Sequence, residues 1–114
     1  MTAVKAAARS EAIRRALVAA AHVPAVVIAV AEQVLRLAEQ LLPIGNRNVV
    51  SDVAAAAEAA RAAATTARVN VEINLAAGKD PTTWGPLAAV VDSVDDLVLR
   101  AEKVTSAVRV GLVR

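Results

Sequence analysis

Residues 45–79 read GNRNVVSDVAAAAEAARAAATTARVNVEINLAAGK, and this stretch decides the fold. It is a tight polar turn feeding one long helix. Asn48 or Ser51 is placed to cap the helix, and Asp52 falls in its first turn, where a carboxylate complements the helix dipole. Gly78 ends it. About seven turns lie between, with no Pro and no internal Gly. Ala dominates, and Ala loses no side-chain freedom on entering a helix.

On a helical wheel at ~100° per residue, Glu58, Arg61, Thr65, Arg68 and Glu72 fall in one stripe, which fits a solvated edge. Asp52, Ala56, Ala59, Ala63, Asn70 and Asn74 fall on nearly the opposite face. Polar groups on that face are expected to be buried, and buried polar groups need partners. Ala elsewhere lets neighbouring helices come close. The expectation is a central helix packed on most sides, with a narrow wet edge.

Upstream, residues 3–21 read as a first helix, with Ala8, Ala12, Ala16 and Ala20 spaced by four and Ile13 and Leu17 beside them. Pro24 interrupts, because it removes a backbone donor and disfavours helix at the residue before it. It either kinks one long helix or starts a second. No Gly, Ser or Asn surrounds it, which favours a kink or a very short break. Residues 24–42 continue as helix. Val23, Val27, Val30, Val34, Leu37 and Leu41 are spaced like the seam of a coiled coil. Pro43 and the residues after it make the turn into the central helix.

Downstream, GKDPTTWGP at residues 78–86 is a firm loop in which Thr82 or Thr83 could cap the next helix. Trp84 reads as a plug over the end of the bundle rather than a stacking platform for a ligand. Residues 84–112 form the last helix. Leu87, Val90, Val94, Leu97, Ala101, Val104 and Val108 make the cleanest heptad seam in the chain, and Val91 and Val98 widen it. Gly111 is expected to fray the end. No segment alternates with period two, so no sheet is expected. The fold class is all-α, a multihelical bundle with a long, Ala-rich, buried central helix. The helices are expected at about 3–21, 24–42, 50–78 and 84–112, in one domain of 114 residues.

The composition narrows the function. The chain is 57% apolar, yet Trp84 is its only aromatic residue, so stability must come from many close contacts between small aliphatic side chains. That much Ala, Val and Leu leaves apolar surface to meet another chain. The net charge is +2, from 13 basic residues interleaved with 11 acidic ones. No basic stripe and no stacking platform results, which argues against nucleic acid as a partner. With no Cys, neither a disulfide nor a thiolate metal site can form. Lys5, Arg9, Glu11, Arg14 and Arg15 break up the N-terminus, so it lacks the apolar core of a signal peptide. The longest uncharged run, residues 16–31, falls short of the ~18 residues of a membrane span. The expectation is a cytoplasmic protein without a membrane partner. Met1 followed by Thr2 reads as a natural start.

Several of these residues carry a resemblance. GNRNVVSD, then NVEINL after an Ala-rich spacer, then KD, is similar to the cyclodeaminase/cyclohydrolase family. That family includes the formimidoyltetrahydrofolate cyclodeaminase domain and bacterial methenyltetrahydrofolate cyclohydrolases. The run from Arg14 through AAAHVPAVVIAVAEQVLRLAEQLL matches as well, Pro24 included, so the resemblance covers roughly residues 10 to 80. It is a resemblance to the C-terminal half only. The N-terminal half of such proteins carries a Pro-Gly-Gly-Gly-Ser turn that helps build the folate site. This chain has four Gly, none adjacent to another. The resemblance implies an all-α bundle, usually dimeric, acting on folate one-carbon units. A tetrahydrofolate derivative would be its substrate, with no bound cofactor.

Asp52 is the leading candidate for catalysis, as an acid/base or pterin contact at the head of the central helix; its structural reading is dipole complement alone. Asn46, Arg47, Asn48 and Ser51 are candidate folate contacts, and equally candidate turn formers. Asn70 and Asn74, one turn apart, are candidates for helix–helix hydrogen bonding, including across a dimer. They stand about 27 Å from Asp52 along one helix, so only a symmetric partner could join the two ends. His22, the lone histidine, reads as structural. Asp92, Asp95 and Asp96 read as a solvated face, and no metal site is expected. Two functions follow. One is folate one-carbon chemistry, with a partner chain supplying the Gly-rich half. The other is a non-catalytic accessory or assembly subunit. Either way the expected state is a homodimer or a hetero-oligomer with a larger subunit.

Overall fold

The structure is a computed structural model, and it describes residues 2–78 and 84–113. Among the described residues there are three helices and no strand: α1 (Ala3–Leu41), α2 (Val50–Gly78) and α3 (Gly85–Val113). They run up, down and up, in a rod of 72 × 18 × 17 Å. The all-α bundle expected from the sequence is present.

The two N-terminal stretches are one helix. Residues 3–41 form an unbroken α1 with Pro24 inside it. A proline there removes one intrahelical bond, at a cost of about 3 kcal/mol. Packing holds the helix through it: Ala21, Ala25 and Ile28 are buried in register on either side. Thr2, which the sequence reading passed over, caps this helix, its Oγ1 accepting from the Lys5 N–H at 3.2 Å. Residues 2–13, the Ala8–Ala12 line included, are exposed.

The core is a single stripe from each helix. On α1 it is Ala21, Ala25, Ile28, Ala31, Leu35 and Ala38. On α2 it is Val53, Ala57, Ala60, Ala64, Ala67, Val71 and Leu75. Alanine at so many facing positions permits close approach of the two helices. On α3 the expected seam is the buried one, with Val90 half-buried and Val91 taking its place in the core. Trp84 packs against the end of this core, and its carbonyl accepts from the Leu87 and Ala88 N–H groups. The possible caps Thr82 and Thr83 lie outside the described residues. Helix α3 runs on through Gly111.

Helix α2 is packed along one stripe and is not enclosed. Its charged stripe is the side that meets α3. Arg68 donates to Asp95 at 2.8 Å, and Thr105 donates to Glu58 at 2.8 Å. The face expected to be buried is the open one. Asp52, Ala59 and Asn70 are exposed, Asn74 is half-buried, and no polar side chain is buried among the described residues. The reason is geometric. An antiparallel hairpin of two helices makes two grooves, and the single remaining helix fills one of them.

Candidate functional site

The turn at residues 42–49 joins α1 to α2. Asn46 organises it: its Oδ1 accepts from the Asn48 N–H at 2.9 Å, and its carbonyl accepts from Val49 and Val50. Neither Asn48 nor Ser51 caps α2 with its side chain. Gly45 is held close to α1, its N–H donating to the Leu41 carbonyl at 2.7 Å. An added Cβ would sit 3.0 Å from that carbonyl oxygen, which accounts for glycine there. Arg47 reaches the other end of the chain and donates to the Leu112 carbonyl at 3.5 Å. That contact ties the turn to the end of α3.

The unfilled side of the α1–α2 hairpin holds two apolar grooves. One, of about 310 Å³, runs beside Val34, Leu37, Leu41, Gly45 and Val49, with Asp52 as its only charged lining residue. The other, of about 700 Å³, is lined by Val23, Pro24, Val27, Ala63, Thr66 and Ile73, with Asn70 and Asn74 supplying carboxamides. Among the described residues, no hydrogen bond or ion pair engages the side chains of Asp52, Asn70 or Asn74. Asn46, Arg47, Asn48 and Ser51 are exposed at the same end of the bundle as Asp52 but do not line its groove. The structure therefore gathers Asp52 and the turn residues at one end and leaves Asn70 and Asn74 at the other. His22 is exposed on α1.

On the filled side lies a cluster the sequence did not reveal. Arg100 of α3 donates to Glu32 at 2.6 Å and to Glu39 at 3.1 Å, and Arg36 donates to Glu32 at 2.8 Å. Burial pushes the Glu32 carboxyl up, but hydrogen bonds from Arg100 and Arg36 outweigh it, and the net displacement is downward. The hydrogen bond from Arg100 likewise holds Glu39 low, against partial desolvation. Those two glutamates hold Arg100 more firmly protonated than usual. These groups clamp α3 onto α1. Arg100 stands more than 60 positions from either glutamate, so no local spacing could pair them.

The chain is thus a helical-hairpin protein in which a third helix covers one groove, and a carboxylate at the head of α2 overlooks the other. The sequence model of the formiminotransferase-cyclodeaminase family matches residues 1–93, from the N-terminus into the first turns of α3. The chain belongs to that family, which is folate-related. No curated protein and no solved structure matched.

Proposed function

We propose that this is a cyclodeaminase/cyclohydrolase-like protein of folate one-carbon metabolism, acting in the cytoplasm, with Asp52 as its acid/base group. The observation that carries the reading is the placement of Asp52. Its carboxylate is exposed, free of side-chain partners, and set at an apolar groove of about 310 Å³ within the matched segment. Grooves of ~300–1,000 Å³ suit small ligands, and their few polar groups orient what binds. Closing a formimidoyl group with loss of ammonia, or hydrating a methenyl bridge, each requires a proton to move at the one-carbon unit. A positioned carboxylate contributes roughly 10²–10⁴-fold to such a step. Asn46, Arg47, Asn48 and Ser51 are the candidates for contacting the remainder of the folate.

The 114 residues contain no Pro-Gly-Gly-Gly-Ser turn, so a partner chain would complete the site. The test is methenyltetrahydrofolate hydrolysis, followed by absorbance, with and without whatever co-purifies from the native source. Turnover is expected in the complex, and Asp52→Asn should lower it by about 10²-fold or more with helix content unchanged. The second reading is a non-catalytic assembly subunit, favoured by the extent of uncovered apolar face. Absence of both turnover and folate binding in either sample would leave that reading standing.

A further inference from the structure

We infer that the groove of about 700 Å³ between residues 20–27 of α1 and residues 62–74 of α2 binds an extended, uncharged peptide segment of another protein, held through its main chain by Thr66, Asn70 and Asn74.

These three residues stand at i, i+4 and i+8 on α2, and all of them line the groove. At 1.5 Å per residue they make a ladder with rungs ~6 Å apart and ~12 Å long. Among the described residues, no hydrogen bond engages any of the three side chains. The neighbouring Thr65 differs: its hydroxyl donates to the Arg61 carbonyl of its own helix at 3.0 Å. The opposite wall of the groove is apolar, from Val23, Pro24 and Val27, and it adds one acceptor. Pro24 has no N–H, so the Ala20 carbonyl lacks the donor that a helix normally supplies, and both residues line the groove. None of the described lining residues is charged.

An extended chain fits this array. Its pattern repeats every two residues, at ~6.6–6.8 Å, close to the spacing of the rungs. Every second residue turns its N–H and C=O to the same edge. A carboxamide offers a donor and an acceptor to such a pair, and a hydroxyl offers both as well. Three rungs engage alternate residues, so the bound segment is about five residues long. Main-chain bonds then supply affinity, and alternate side chains supply specificity. Those side chains settle over Ala63 and Ala67, whose small size leaves room for aliphatic groups. A charged side chain there would find no counter-charge.

Other occupants use the ladder less well. A helix, from a second copy of this chain or from another protein, has its main chain already bonded. A bilayer would leave the carboxamides unsatisfied, although α1 is long and apolar enough to cross one. The inference involves neither Asp52 nor the smaller groove, and it does not rest on the folate reading.

The test uses a blocked Val-Thr-Val-Thr-Val peptide carrying a neutral fluorophore, titrated with the full chain and followed by fluorescence anisotropy. Saturable binding with a Kd below ~1 mM is expected. The double variant Asn70→Ala with Asn74→Ala should retain the helical spectrum and bind about 10-fold more weakly or worse. N-methylation of the three valines, which blocks the edge that meets α2, should weaken binding by at least as much. N-methylation of the two threonines should cost about 5-fold at most, since that edge meets the Ala20 carbonyl alone. Leu41→Ala, in the smaller groove, should leave the affinity unchanged. Four results would overturn the inference. One is no saturable binding, and another is equal affinity in the double variant. A third is equal affinity for the peptide with methylated valines, which would reduce the groove to an apolar patch. The last is a sedimenting dimer that takes up no peptide, which would give the groove to a second copy. None of these readouts uses a folate.

Discussion

Two valine- and leucine-rich seams, one on α1 and one on α3, are written in the sequence with the same spacing, and the fold treats them oppositely. The α3 seam, from Leu87 to Val108, is buried except for half-buried Val90. The α1 seam, from Val23 to Leu41, is left facing out, with Val34 alone among its six residues packed against the core. Helix α1 packs instead through Ala21, Ala25, Ile28, Ala31, Leu35 and Ala38. Hydrophobic periodicity states that a face is to be covered; it does not state by what. In this chain four alanines of α1 go inside together with Ile28 and Leu35, and alanines facing the alanines of α2 allow close approach of the two helices. The bulkier seam remains available for something outside the chain.

The largest effect that separates the two seams is a leucine truncation on each. Leu97→Ala empties a core position and should cost about 2–5 kcal/mol of folding stability, read from the chemical-denaturation midpoint. Leu37→Ala should change the stability of the isolated chain by less than about 0.5 kcal/mol, and show its effect in sedimentation instead. Equal losses of folding stability would erase the distinction between the seams.

A smaller effect tests what holds α3 in its groove. Arg100→Met removes the clamp on Glu32 and Glu39. The side chains involved are a quarter to a third exposed, so solvent screening limits the loss to about 1 kcal/mol at pH 7. Both glutamates titrate below their ordinary value of 4.5 in the folded chain. Their contribution is therefore present above that value and is lost as the pH falls through the lowered folded value. The difference between wild type and Arg100→Met should shrink as the pH falls below 4.5 and through the lowered folded values, in denaturation curves measured across that range. A difference that persists at low pH would assign the loss to packing of the arginine stem.

An effect of similar size concerns the turn that sets how α1 and α2 meet. Gly45→Ala places a methyl group 3.0 Å from the Leu41 carbonyl oxygen. A loss of about 1 kcal/mol is expected, seen as a lowered Tm. An unchanged Tm would mean that the turn gives way without consequence for either groove.

Much is legible in the sequence alone. The Ala-rich run after GNRNVVSD is too regular and too free of Gly and Pro to be anything but helix, and the structure has it at Val50–Gly78. The motif residues pointed to the family that the sequence model then matched. Asp52 was placed in the first turn by counting alone, and it is there. What periodicity could not settle was where each face points. The Asp52–Asn70–Asn74 face was expected inside and lies open, because three helices fill only one of the two grooves of a hairpin. Pro24 was expected either to kink one long helix or to start a second, and a single helix runs through it, because burial on both sides outweighs one lost backbone bond. The sequence by itself determined the helices, their apolar stripes and the family, since each of these depends on residues within a few turns of one another. The tertiary structure alone decided which stripe is core, which cations meet which carboxylates, and which face remains open, since these depend on packing between residues far apart in the chain.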